Sequence, residues 1–190
     1  MGVWINIPRE KVALVPVATA AGFDFHHAEA GHVLMNFWLP EHTPSTLPRC
    51  ATTQIGVGAF VLNEQREVLV VSERNGPAAK TEFRLYKLPT GLVDLGEDVP
   101  DAAQREVREE TGIDTEFVAV LGMRHAHRVA FGRGDMFFLC ALRPVGEQTI
   151  RMCDTELIDA KVSPGHVILV GCESSGRVVG VGHGATENGR

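Results

Sequence analysis

The sequence predicts an α+β protein in which a sandwich with a mixed sheet follows a small strand–helix–strand module. The first observation is the order of segments: strand patterns at 55–62 and 68–72, a helix pattern at 98–111, then strand patterns at 117–123 and 136–142. Strands grouped on either side of a helix are typical of α+β folds. The second is size and composition, because 190 residues with 44% hydrophobic content allow one globular domain and a smaller piece.

The first 48 residues predict a partial βαβ module and a linker. Residues 3–7 have strand composition, and residues 10–21 carry apolar side chains at helical spacing, interrupted by Pro16. Two strand-like runs follow, FDFHHA and VLMNFWL. Three prolines within residues 39–48 then predict a linker. His26 and His27 are adjacent, and because neighbouring side chains on a strand face opposite ways, we favour a packing role for them over a metal site.

The two strands at 55–62 and 68–72 are separated by NEQRE, which predicts a hairpin. Residues 74–82 are polar with glycine and proline, and are therefore expected to form a loop. The segment after it, from Gly91 to Ile113, organises the rest of the chain.

A helix of about a dozen residues is expected in the middle of this segment. Asp98 is the expected N-cap, Pro100 lies in the first turn where its missing N–H costs nothing, and Gly112 supplies the left-handed stop. At 3.6 residues per turn one inward stripe starts apolar and ends in carboxylates; its members are Val99, Ala102, Ala103, Glu106 and Glu110.

The carboxylates at the end of this stripe predict a cation. Glu109 adds a third anion next to Glu110. Two like charges about 5 Å apart repel by roughly 3 kcal/mol at an effective dielectric near 20, so three crowded glutamates need protonation or a divalent ion. Incomplete ligation by oxygen alone suits Mg²⁺ or Mn²⁺ shared with water and substrate phosphates.

Glycine and charged residues recur in this segment at fixed spacing. Gly91 is followed after five residues by Glu97, and after seven more by the run REVREETGI at 105–113. This pattern resembles the complete Nudix box, with every fixed position filled. The resemblance implies a Nudix-type α/β/α sandwich with a mixed sheet. The alternative is a solvated acidic helix with an i,i+4 pair between Arg105 and Glu109.

Other motifs extend the resemblance to the plant-type and animal Nudix subfamily with a small N-terminal domain, over about residues 1–162. They are HHAE, FWLP, QIGVGAFVLNE, KLPTG, GIDTEFV and DMFFLCAL. We therefore expect a partial module and linker at 1–48, a Nudix domain at 49–162 and a divergent tail at 163–190. Relative to the subfamily the N-terminal module looks incomplete, and six glycines in the last twenty residues predict a weakly ordered tail.

The resemblance assigns roles to the box residues. Glu106, Glu109 and Glu110 are the expected metal ligands, with Mg²⁺ as the cofactor and Mn²⁺ as the substitute. Arg105 is expected to hold the preceding loop by pairing with Glu97 or a backbone carbonyl, and we include both residues in the catalytic machinery. Gly91, Gly96 and Gly112 have backbone roles. The general base stays open among Glu106, Glu109 and Glu156.

A substrate rim is the last part of the expected site. Tyr86 lies just before LPTG, where packing at the pocket edge is favoured over stacking on a base. Arg124, His127 and Arg128 belong to a local basic cluster that either is a solvated loop or faces substrate phosphates.

The implied reaction is hydrolysis of a nucleoside diphosphate linked to another group, with ADP-ribose or NADH as leading substrates and oxidised nucleoside triphosphates next. The alternative is a catalytically weak Nudix-fold module for nucleotide binding or regulation. Residues 91–113 hold seven acids and two arginines, −5 of the net −6, which argues against long nucleic acids as ligands. The partner is thus a small nucleotide, and a homodimer is an assembly that the resemblance allows.

The remaining observations concern the compartment. No apolar run is long enough to span a membrane, and the start of the chain lacks a secretory apolar core. The four cysteines, Cys50, Cys140, Cys153 and Cys172, are too irregularly spaced for a disulfide framework or a zinc site. We therefore expect a cytoplasmic protein.

Overall fold

The computed structural model describes residues 1–75 and 85–164. Contacts divide the chain into a first unit, Met1–Thr52, and a second unit, Thr53–Arg190. Most of the predicted 74–82 loop and nearly all of the predicted tail lie outside the described residues. In the described part, no helix is long and apolar enough to cross a membrane.

The first unit is a three-stranded antiparallel sheet with a short helical connection. Its elements are β1 (Gly2–Pro8), a 3₁₀ helix (Arg9–Leu14), α1 (Val15–Ala20), β2 (Asp24–Glu29) and β3 (His32–Trp38), and the sheet order is β1-β3-β2. The single helix predicted at 10–21 is wrong, because Pro16 is tolerated only in the first turn of α1 and the residues before it form a separate 3₁₀ helix. A small core of Ile7, Ala18 and Met35 holds the unit together.

The histidine pair in β2 departs from simple strand alternation. A bulge lies between Phe25 and His27, so His26 is the extra residue of the strand. The Nδ1 atoms of His26 and His27 are therefore 2.6 Å apart, and the prediction that the two side chains face opposite ways is wrong.

The second unit contains six strands and one helix among its described residues. They are β4 (Thr53–Val61), β5 (Glu67–Glu73), β6 (Thr90–Leu92), α2 (Val99–Thr111), β7 (Thr115–Ala126), β8 (Gly134–Pro144) and β9 (Leu157–Pro164). One sheet has the order β6-β4-β8-β7, in which β4 and β8 are parallel and the other pairs antiparallel. A second sheet pairs β5 with β9 in antiparallel fashion. The expected mixed sheet is thus present.

The predicted hairpin between β4 and β5 is wrong. β6 pairs with Gly56–Gly58 on one edge of β4 and β8 pairs along the other edge, and β5 belongs to a different sheet. The two strands share only the bridge between Leu62 and Val68 beside the connecting turn. β5 pairs with β9 instead, and this brings residues near 73 next to residues near 157.

Helix α2 packs on the four-stranded sheet through small and branched side chains. Ala102, Ala103 and Val107 are fully buried against Val57 and Leu69 in the main core. Alanines allow the helix backbone to lie close to the sheet, and burying these apolar side chains fixes the rotation of the helix about its axis. That rotation determines where the box glutamates point.

Candidate active site

Helix α2 begins and ends at the residues expected from the sequence. Asp98 is the N-cap residue with extended backbone, but its side chain makes no capping hydrogen bond, which corrects one detail of the prediction. Pro100 lies in the first turn, and Gly112 has φ of 72° and donates its N–H to the carbonyl of Arg108.

The box glutamates divide between two faces of α2. Glu110 is only 4% exposed, and the side chain of Glu106 is 14% exposed. Glu109, one position and about 100° away from Glu110, has a side chain that is 58% exposed. The expectation that all three crowd into one inward arc is therefore wrong for Glu109.

Arg105 is the cation that joins two of these glutamates to the loop before the helix. It makes a bidentate pair with Glu97, through Nε at 2.8 Å and Nη2 at 2.9 Å, and Nη2 also donates to the Leu92 carbonyl at 2.9 Å. Nη1 lies 2.7 Å from Glu106 Oε1 and 3.1 Å from Glu109 Oε2. Arg105 is predicted to pair with Glu97 or with a backbone carbonyl, and the structure shows both contacts.

This pairing also shifts the proton affinity of both partners. The hydrogen bond from Arg105 lowers the pKa of Glu97 to about 2, and the hydrogen bond to Glu97 raises the pKa of Arg105 above its usual range. Burial raises the pKa of Glu106, although Arg105 opposes the shift. The loop from Leu92 to Glu97 is thus tied to α2 by charge-assisted hydrogen bonds.

Gly91 permits strand β6 to pass directly over Glu106. A Cβ atom at position 91 would lie 1.9 Å from Glu106 Oε1, well inside van der Waals contact. Only glycine leaves room for the carboxylate there. Gly96, with φ of 83°, serves the loop by adopting the left-handed backbone region.

Glu110 points into a cavity of about 280 Å³, which we call the carboxylate cavity. Its lining residues are Glu73, Asn75, Thr90, Glu110, Thr155, Glu156 and Leu157. Burial raises the pKa of Glu110 to about 8; the positive charge of Lys87 opposes this shift, and Glu106, Glu73 and Glu156 add to it. Glu110 Oε2 is buried and has no hydrogen-bond partner among the described residues.

Three residues of this region were not singled out from the sequence: Glu73, Lys87 and Thr90. The ammonium of Lys87 lies 2.5 Å from Glu73 Oε1 and 2.6 Å from Thr90 Oγ1. The available signal was a charged residue ending the apolar run VLVVSE, and a lysine two residues before the proline of KLPTG. The contact between Glu73 and Lys87 depends on strand pairing between segments that are distant in the chain, and no local sequence pattern predicts such pairing.

Comparison with known proteins identifies the family. A NUDIX domain model matches residues 52–173, and a model described as a Nudix hydrolase domain matches residues 1–39. The chain belongs to the Nudix family. The resemblance drawn from the box and from the N-terminal motifs is therefore confirmed.

Several curated Nudix proteins are similar to this chain. Nudix hydrolase 8 of Arabidopsis thaliana is 50% identical over 149 residues, which cover 78% of this chain and 40% of the relative. Nudix hydrolase 2 of the same plant is 44% identical, covering 76% and 51%. The human nucleoside diphosphate-linked moiety X motif 6 is 42% identical, covering 82% and 48%. This Nudix chain thus spans about half the length of these relatives, or less.

A crystal structure of a Nudix hydrolase from Nitrosomonas europaea has a TM-score of 0.51 to this chain, at 15% identity, and covers 77% of this chain and 74% of that one. At that identity the likeness concerns the fold alone. It confirms the expected α+β Nudix fold with a mixed sheet.

The donor set of the Nudix box fits a hard divalent cation. Glu110 offers a buried oxygen that has no hydrogen-bond partner in the described part of the chain, and the three glutamates around it, Glu73, Glu106 and Glu156, provide oxygen ligands only. In the described ranges, however, no three His, Cys, Asp or Glu side chains are arranged closely enough to hold a metal ion. Two of the expected ligands, Glu106 and Glu109, are instead paired with Arg105.

The residues predicted for a substrate rim lie away from the carboxylate cavity. The hydroxyl of Tyr86 donates to Asp159, and Arg124 pairs with Asp135 at 3.2 Å. His127 and Arg128 are exposed on the turn between β7 and β8. None of the four lines the cavity, and their contact with a substrate stays a prediction.

Proposed function

We propose that this chain is a Mg²⁺-dependent pyrophosphohydrolase that cleaves a nucleoside diphosphate linked to another moiety. The observation that supports it is the carboxylate cavity beside the box helix, into which Glu110 projects a buried oxygen that lacks a partner in the described part of the chain. A buried carboxylate without a partner destabilises a fold, so its presence is best explained by a cation ligand.

Glu106, Glu109 and Glu110 would hold the ion, and Mn²⁺ could replace Mg²⁺. When bound, the metal would neutralise the charge of the diphosphate and make an attacking water more acidic. Glu106 and Glu109 would then exchange contacts with Arg105 for contacts with the ion, while Arg105 keeps its bidentate pair with Glu97 and holds the loop.

Glu156 is the general base that the geometry favours among the three candidates. It lines the carboxylate cavity and its side chain is exposed, so a water molecule can reach it. Glu109 is exposed outside the cavity lining, and Glu106 is held by Arg105. Glu156→Gln is therefore expected to lower turnover without removing Mg²⁺ binding.

For the substrate we propose ADP-ribose or NADH first and oxidised nucleoside triphosphates next, on the strength of the subfamily motifs. A panel of these compounds with millimolar Mg²⁺ tests the proposal, read as phosphate released after phosphatase coupling, or as pyrophosphate for the triphosphates. The matched controls are EDTA and the Glu110→Gln variant. Turnover of at least one compound by the unaltered protein is expected, and a folded protein that turns over none would refute the proposal.

A non-catalytic nucleotide-binding or regulatory module is the second candidate. One observation favours it: Arg105 occupies oxygens of two of the three expected metal ligands. Nucleotide binding without turnover and without a Mg²⁺ requirement would support this candidate over the first.

A further inference from the structure

Lys87 places a positive charge at the wall of the carboxylate cavity. Its Nζ is 2.5 Å from Glu73 Oε1 and 2.6 Å from Thr90 Oγ1, and both of these partners line the cavity. The Lys87 side chain is 21% exposed, so its ammonium is neither buried in the core nor free in solvent.

The backbone holds Lys87 in place. Its N–H donates to the Val71 carbonyl and its carbonyl accepts from the Val71 N–H, both at 2.8 Å, while the Ala59 N–H donates to the Pro89 carbonyl at 2.9 Å. Leu88 is buried between these bonds. Because the segment is bonded to both β4 and β5, the lysine stem starts from a fixed point, unlike that of an ordinary surface lysine.

The side chain also has a donor to offer. An ammonium carries three N–H groups, and two of those of Lys87 have acceptors in the described residues. The cavity around it presents the carboxylates of Glu73, Glu110 and Glu156. An anionic ligand can enter such a site only if positive charge compensates both the ligand and the walls.

We propose that Lys87 binds a phosphate oxygen of the substrate diphosphate, and that in the absence of ligand it neutralises the carboxylate cavity; this rests on the proposed function. Glu73 and Thr90 hold the ammonium at the wall, where its third N–H can meet the ligand. Lys87 is a binding residue that supplements the metal, because a single ammonium compensates one charge of a diphosphate.

The neighbouring side chain supports this choice. Tyr86 is directed to the other side of the segment, where its hydroxyl bonds Asp159 and its ring lies 3.9 Å from Lys161 Nζ. Lys161 therefore serves as a matched control, since its ammonium lies over the Tyr86 ring, whereas the ammonium of Lys87 contacts two residues that line the cavity.

The first test measures binding of α,β-methylene-ADP in the presence of Mg²⁺. In this compound a methylene group replaces the oxygen that bridges the two phosphorus atoms, so the link between them cannot be hydrolysed. Lys87→Met keeps the length of the stem and removes the charge, and is expected to weaken binding at least about tenfold. Lys87→Arg should restore most of the affinity, and Lys161→Met should leave it unchanged. Equal affinity in Lys87→Met and the unaltered protein would overturn the inference, as would failure of the unaltered protein to bind.

The second test needs no nucleotide. Removing the ammonium leaves the cavity more negative, so Lys87→Met should bind Mg²⁺ more tightly, by about threefold or more, when the thermal midpoint is followed against Mg²⁺ concentration. A lower midpoint in EDTA with unchanged Mg²⁺ affinity would show that Lys87 is only a structural ion pair. If Lys87→Met does not fold, Lys87→Gln takes its place in both tests.

These outcomes are independent of turnover. A protein that hydrolyses nothing but shows both Lys87 effects refutes the proposed reaction and keeps the phosphate-binding lysine. If the unaltered protein hydrolyses a substrate and Lys87→Met behaves in both tests as the unaltered protein does, the proposed reaction stands and the role given to Lys87 is refuted.

Discussion

Glu110 is the residue on which the proposed metal binding depends most. It is 4% exposed, its carboxylate has one oxygen without a partner among the described residues, and burial raises its pKa to about 8. A group in this position costs stability in the metal-free protein and recovers that cost when a cation binds.

We therefore expect Glu110→Gln to fold normally and to lower turnover by at least about a hundredfold, because it removes a proposed metal ligand without changing the shape of the side chain. In thermal unfolding, Mg²⁺ should raise the midpoint of the unaltered protein, and the variant should lose most of that gain. Equal shifts in both proteins would place the ion elsewhere.

Glu97 gives a prediction about acid stability. Its folded-state pKa is about 2, below the ordinary value of 4.5, because Arg105 donates to its carboxylate. A depressed pKa stabilises the fold fully above the unfolded value, and this contribution is lost as pH falls from about 4.5 towards 2.

Glu97→Gln should therefore lower the thermal midpoint at pH 7 by a few degrees, about 2–4 °C for each ~1 kcal/mol lost. The gap from the unaltered protein should narrow between pH 4.5 and 2. Glu147→Gln is the control, because Glu147 and Arg151 form an exposed ion pair with a longer N–O distance of 3.4 Å. Exposed pairs of this kind contribute little to stability. A gap that does not change with pH would mean that the Glu97–Arg105 pair is not the cause.

For single residues, the sequence predicted contacts between side chains that are close in the chain, but not contacts between distant segments. The contacts of Arg105 with Glu97 and Glu109 follow from helix spacing and from the short loop before α2. The approach of Glu73 and Lys87 to Glu110 depends on pairing between segments that lie far apart in the chain. Adjacent positions can also separate: Glu109 and Glu110 differ in exposure because one step along a helix turns by about 100°.

Among the elements, the approach of β6 to α2 controls the site. β6 is three residues long and pairs with β4, with Gly91 opposite Val57. This places the glycine over the Glu106 carboxylate, so the two elements meet at a proposed metal ligand.

Gly91→Ala should lower turnover by about tenfold or more, because the added Cβ would lie 1.9 Å from Glu106 Oε1 and must displace that carboxylate. The loss of stability should be smaller than the loss of activity, since the displaced atoms belong to the end of a flexible side chain. Gly122→Ala is the control: position 122 has no atom within 4 Å of an added Cβ and no positive φ. Equal kinetics in the two variants would contradict the role given to Gly91.

The positions of the strands could be predicted from the sequence, but which strands pair with each other could be predicted less well. The strands near 55–62, 68–72, 117–123 and 136–142 all occur. The turn after β4 does not produce a β4–β5 hairpin, because β5 pairs with β9, a strand about ninety residues later in the chain. The helix predicted at 10–21 is divided before Pro16, because proline lacks the backbone N–H that a helix interior requires.

At the scale of the whole molecule, the chain contains two units with separate cores. Ile7, Ala18 and Met35 form one core, and the residues around Val57 and Val107 form the other. All candidate site residues belong to the second unit. A homodimer and a cytoplasmic location stay predictions, which light scattering and cell fractionation would test.

A fragment that begins at Thr53 should therefore be stabilised by Mg²⁺ like the whole chain. The Mg²⁺ concentration that gives half of the stabilisation should agree within about twofold, because the expected ligand residues and their supporting core are retained. The measurement is thermal unfolding against Mg²⁺ concentration, with the Glu110→Gln version of the fragment as the control. A fragment that folds but no longer responds to Mg²⁺ would show that the first unit contributes to the site.

The segment from Tyr86 to Leu92 has a consequence for the selection of ligands. Its backbone bonds Val71 of one sheet and Ala59 of the other, so it fixes the separation between the wall that carries Glu73 and the wall that carries Glu110. Widening the carboxylate cavity would break hydrogen bonds that hold the second unit together, and would cost about as much as partial unfolding. If the proposed diphosphate binds in this cavity, the fixed separation of the walls restricts only the diphosphate itself, and we expect the groups that extend beyond it to distinguish one ligand from another.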